Sequence, residues 1–90
     1  MLYKMSEWEI CGKWYCNCTD KLGTISAQWW FPMRLLNLSI LDFVNLLLSY
    51  EAVIDSYEND LLIYHFNSYK NCHSFVLYIN RMAKKYKILI

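Results

Sequence analysis

Between Trp8 and Cys18 the chain alternates with a period of two. The even positions read Trp8, Ile10, Gly12, Trp14, Cys16 and Cys18, and the odd ones Glu9, Cys11, Lys13, Tyr15 and Asn17. Successive side chains of a strand point to opposite faces, so this pattern predicts a half-buried β-strand and excludes an all-helical fold. Thr19-Asp20-Lys21-Leu22-Gly23-Thr24 follows as turn chemistry and leads into the aromatic run Ile25 to Phe31, which stops at Pro32. The expectation is a β-hairpin made of these two segments.

Ser39, followed three residues later by Asp42, offers a side-chain acceptor at a helix N-cap and an acid in the first turn, predicting a helix over about 40–50. Ala52 to Tyr57 and Leu61 to Phe66 are β-prone runs separated by Glu58-Asn59-Asp60, and read as a second hairpin. Asn67, Ser68 and Asn71 are alternative N-caps for a last helix over about 72–86. Its apolar positions Cys72, Phe75, Val76, Ile79, Met82, Ala83 and Tyr86 recur at helical spacing.

The expected order is therefore ββαββα. It implies an α+β two-layer sandwich, with a four-stranded, mainly antiparallel sheet and both helices on one face. A ferredoxin-like βαββαβ order is the near alternative. Ninety residues leave room for a single core, so 1–90 is read as one domain.

On a helical wheel the polar residues Asp42, Asn45 and Ser49 of the first helix share a stripe of roughly 60°, and apolar residues fill about 220°. One sheet face cannot cover so wide an arc. Leu41, Phe43, Val44, Leu46, Leu47 and Leu48 are therefore candidates for a homodimer interface as well as for the core. Aromatic load points the same way. Adjacent Trp29 and Trp30 would face opposite sides of a strand, leaving one outside the core and available as a binding anchor.

The net charge of +1 removes the global basicity typical of a non-specific nucleic-acid binder, but the charges are segregated. No Lys or Arg occurs between Leu35 and Tyr69, whereas Asp42, Glu51, Asp55, Glu58 and Asp60 all fall there. Trp29, Trp30, Glu51, Asp55, Tyr57, Glu58 and Asp60 form the candidate partner-binding surface, an acidic loop able to imitate phosphates. Arg81, Lys84, Lys85 and Lys87 form the alternative, a nucleic-acid-binding helix end.

Gly12 and Gly23 are isolated, so no phosphate-binding loop is present, and the carboxylates lie in exposed turns. Cys16, Cys18, Cys72 and His73 lack zinc spacing. No metal, cofactor or catalytic residue is expected. Cys16, Cys18 and Cys72 are expected to be buried reduced thiols, and Cys11 an exposed one. The longest charge-free run, Leu22 to Met33, is shorter than the roughly 20 residues of a membrane span, and two early acids argue against a signal peptide, giving a cytoplasmic expectation. The abundance of Asn, Lys, Ile and Tyr, all with AT-rich codons, fits a low-GC bacterium or a phage. The reading is a non-enzymatic interaction protein that inhibits a host enzyme or defence complex by binding it.

Overall fold

The computed structural model describes residues 3–20, 38–58 and 61–85, with side chains over 5–16, 38–58 and 62–82. Its elements are β1 (Tyr3–Ile10), β2 (Lys13–Asp20), α1 (Ile40–Ser49), β3 (Ala52–Glu58), β4 (Leu61–Phe66) and α2 (Tyr69–Lys85). The four strands form one antiparallel sheet in the order β1-β2-β4-β3, with β1 and β3 as its edges. The ββαββα order holds. Among the described residues no helix is long and apolar enough to cross a membrane.

The alternation that predicted one strand over 8–18 belongs to two. Cys11 and Gly12 form a two-residue turn with φ of 51° and 81°, the left-handed pair that a tight hairpin matching strand twist requires. Gly12 adopts this geometry freely and donates its N–H to Glu9 Oε1 at 3.1 Å. Because the turn consumes two residues, the period of two runs through it unbroken, yet the faces exchange. Glu7 pairs with Cys16 and Trp8 with Tyr15. Trp8 and Ile10 therefore lie on the face opposite to Trp14 and Cys16, while Met5 and Glu7 turn inward. The strand expected over Ile25 to Phe31 lies outside the described residues.

The remaining elements fall where the sequence signals placed them. Ser39 Oγ accepts the Asp42 N–H at 3.1 Å and caps α1. Tyr50 and Glu51 close the far end through N–H bonds to the carbonyls of Leu47 and Leu48, with Glu51 at φ 60°. This left-handed residue reverses the chain from α1 into β3. Of the three N-cap candidates for α2 it is Ser68 that serves, its Oγ accepting the Asn71 N–H at 3.4 Å, so α2 starts one turn earlier than expected.

Both helices cover one face of the sheet. Phe43 and Leu47 of α1 meet Cys72, Phe75, Val76 and Ile79 of α2 over Met5, Cys16, Leu62, Tyr64 and Phe66. Phe75 is the hub, with ring centroids 5.5 Å from Phe66, 5.6 Å from Tyr50, 6.1 Å from Phe43 and 6.2 Å from Tyr64. One side chain thus ties α2 to α1 and to a central strand. Truncating such a side chain costs about 3–5 kcal/mol, a large share of a domain stability of about 5–15 kcal/mol. Phe75→Ala should therefore lower the urea midpoint more than any other single truncation on α2, with Val76→Ala as the milder comparison.

Candidate interaction site

Two His–carboxylate pairs, one on each face of the sheet, organise the polar chemistry. On the helix side, Glu7 projects from edge strand β1 beneath the first turn of α2, where its Oε1 lies 2.7 Å from His73 Nδ1. With the carboxylate ionised, the imidazole nitrogen is the donor. Among the described residues, Glu7 Oε2 is buried and has no hydrogen-bond partner. Such a group is costly unless the surrounding potential favours its charge. The N-terminus of α2 supplies that potential, since α2 carries no acid in its own first turn.

Desolvation, and then the neighbouring Glu7 carboxylate, raise the Tyr69 phenol above its ordinary value. The Tyr69 ring stacks on His73 at 5.3 Å and meets Trp14 edge-on at 4.8 Å. Behind them, Cys72 Sγ lies 3.6 Å from the Tyr15 carbonyl, and Cys16 Sγ lies 3.6 Å from the Tyr64 hydroxyl. The Cys16 thiol beside it, then burial, hold the Cys72 thiol far above the usual range. Both thiols are fully buried, whereas Cys11 is exposed at the hairpin tip. The Cys18 side chain lies outside the described residues. Among the described residues no three His, Cys, Asp or Glu side chains converge where a metal ion could sit.

On the second face, His65 of β4 is only 4% exposed and sets Nδ1 2.8 Å from Asp55 Oδ2. Asp55 reaches it because β3 carries a register shift between Ile54 and Ser56, so Asp55 is the extra residue of a bulge. Tyr15 lies 5.9 Å from His65 and 5.7 Å from Trp8, continuing an aromatic row across the sheet. An exposed acid is therefore held in place by a buried imidazole.

The candidate partner-binding residues separate under this geometry. Asp55, Tyr57 and Glu58 share edge strand β3, all exposed, with Tyr57 at 50%. Glu51 does not join them; its Oε2 accepts from Asn71 Nδ2 at 3.3 Å and bridges α1's end to α2. Trp29, Trp30 and Asp60 lie outside the described residues. In the basic set Arg81 is exposed, the side chains of Lys84 and Lys85 are not described, and Lys87 lies outside the described residues.

The expected apolar interface on α1 also divides. Phe43 and Leu47 are fully buried in the core, so they are no free interface. Val44 and Leu46 are partly buried against the core, and Leu41 and Leu48 stay exposed at 66% and 52%. Neither His–carboxylate pair was read from the sequence. The His65–Asp55 pair needs the bulge, and Glu7–His73 needs the exchanged face of β1. Comparison with protein-family models, curated proteins and solved structures found no match.

Two outcomes follow for the thiols. Iodoacetamide on the native protein should modify Cys11 and spare Cys16 and Cys72 until denaturant is added, as read by peptide mass mapping. Because the folded Cys72 value is raised, its contribution to stability is complete below the ordinary thiol value of about 8.5 and is lost as pH rises above it. Denaturation midpoints at neutral and alkaline pH should show this decline, and Cys72→Ala should flatten it.

Proposed function

We propose that this protein acts without catalysis, by binding another protein through the acidic edge strand β3, and that the bound partner presents a basic surface. The observation that carries the reading is edge strand β3 itself, where Asp55 and Glu58 are exposed on the face away from the helices and Tyr57, opposite Leu62, is half-exposed on the other. The half-exposed tyrosine lies between the two acids in sequence, within a stretch of chain from Leu35 to Tyr69 that has no Lys or Arg. Tyrosine is a preferred anchor at interfaces because it brings large apolar area and a polar end at low entropy cost. The Asp55–His65 bond fixes one carboxylate before any partner arrives, which reduces the ordering cost of association.

Strand addition is not the mode this edge favours. The bulge at Asp55 interrupts the regular row of backbone groups that an incoming strand would need, and the flanking acids repel a further acidic chain. Contact through side chains fits better. A partner that ordinarily holds phosphates would meet carboxylates at its own basic site, and occluding that site with an acidic edge would inhibit it. A host enzyme or defence complex that handles nucleic acid has the required chemistry.

The test is capture from a host lysate, with wild-type protein compared with three variants. Asp55→Lys with Glu58→Lys should abolish a salt-sensitive capture, and Tyr57→Ala should weaken it by about 30-fold or more. Replacing Arg81, Lys84, Lys85 and Lys87 by Ala should leave capture intact. Full capture by the charge-reversed edge would overturn the reading, and loss confined to the basic variant would replace it with nucleic-acid binding.

A further inference from the structure

We propose that the outer faces of α1 and α2 together form a two-fold dimer interface, in which α1 of one copy packs on α2 of the other. The surface is separate from edge strand β3, and the argument begins with what the helices leave uncovered. Leu41 and Leu48 of α1 and Leu77 of α2 are exposed at 66%, 52% and 48%, though all lie on helices whose opposite faces build the core. Exposed apolar side chains on neighbouring elements mark an association surface.

Charge decides the occupant. On α2, Lys70, Leu77 and Arg81 fall within about 40° of one another on a helical wheel, opposite the buried stripe. On α1, Asp42 is exposed about 100° round the helix from Leu41, and Glu51 closes the helix end. The two helices lie side by side with outward faces of opposite sign. Among the described residues, Asp42, Lys70 and Arg81 make no ion pair within the chain.

The Glu51–Asn71 bond joins the far end of α1 to the first turn of α2, and Phe43 meets Phe75, so α2 runs back along α1; the arrangement proposed takes that bond as the common level. Asp42 lies nine residues before Glu51, about 14 Å along α1 at 1.5 Å per residue, and Arg81 lies ten residues beyond Asn71, about 15 Å along α2. On ideal helices aligned at that bond they would stand at the same height. A two-fold axis parallel to the helices and just above them preserves every height while exchanging α1 for α2. Asp42 then faces Arg81 of the second copy, Glu51 faces Lys70, and Leu48 lies within one helical turn of Leu77.

By symmetry each contact is made twice, so the interface is self-complementary and closes. Superposing α1 on its own equivalent would instead set Asp42 against Glu51 and gather acids only. A second copy in the exchanged arrangement is the occupant the charges select.

The experiment is sedimentation of full-length protein at high micromolar concentration, with circular dichroism confirming that each variant is folded. Wild type should sediment as a dimer. Asp42→Arg alone and Arg81→Glu alone should each weaken dimerisation by about tenfold or more, since each creates two symmetric repulsions. Mixing the two variants should restore a dimer, because the heterodimer regains both attractions. A monomeric wild type would overturn the proposal, as would single variants that dimerise undiminished or a mixture that stays monomeric. None of these outcomes depends on β3, so binding through Tyr57 can stand or fall separately.

Discussion

Phe75 sits where every layer of this small protein meets. Its ring lies against Phe43 and Tyr50 from α1 and against Tyr64 and Phe66 on β4. A chain of ninety residues has little apolar area to spare, and it concentrates that area by stacking aromatic rings on one side of one sheet. The consequence is geometric. With both helices needed on the same face to enclose Phe75, each leaves an outward stripe that the core does not cover. Leu41, Leu48 and Leu77 are the residue of that arrangement, apolar positions for which no described element remains.

The two edges of the sheet are treated with the same economy. β1 directs Glu7 inward, where the α2 N-terminus and His73 balance its charge, and β3 is broken by the Asp55 bulge. An inward charge and a bulge both discourage strand-to-strand association, the usual hazard of an open four-stranded sheet. Each device also fixes a side chain. Glu7 organises His73, Tyr69 and Trp14 at one edge, and His65 holds Asp55 at the other. Polar groups that would merely cost free energy if left unpaired define two distinct rims instead.

Much of the architecture was legible in the sequence because its signals are local. Ser39 and Asp42 announced α1, the β-prone runs on either side of Glu58-Asn59-Asp60 announced β3 and β4, and the stripe from Cys72 to Ile79 announced α2. The first hairpin was not, because its turn is two residues long and carries Cys11 where Asn or Asp is the common signal. Alternation survived such a turn while reversing its meaning, so Trp8 and Ile10 read as sharing a face with Trp14 and Cys16 but lie on the opposite one. The wide apolar arc of α1 was a sound signal read too broadly. Phe43 and Leu47 answer to Phe75, Val44 and Leu46 pack at the margin, and Leu41 and Leu48 alone stay exposed. Asp55 belonged to the expected site, but its anchorage on His65 depends on one extra residue in β3, which no periodicity reports.

The two surfaces proposed for this molecule bear on each other through symmetry. Each α1 lies over its own β3, at the flank of the helical layer, so an axis running between α1 and α2 places the two β3 edges on opposite sides of the dimer. Both copies of Tyr57 and its acids would face outward at once. A partner that is itself dimeric, or that repeats its basic site, could then engage both edges. The second contact would be intramolecular, at an effective concentration reaching the millimolar range when geometry allows it. For an edge with a single aromatic anchor, doubling in this way gives tighter binding without any additional contact residue. Self-association through the helices and recognition through the sheet edge, as proposed, would thus be complementary uses of one fold, because the core that brings both helices to one face leaves β3 at the edge of the sheet.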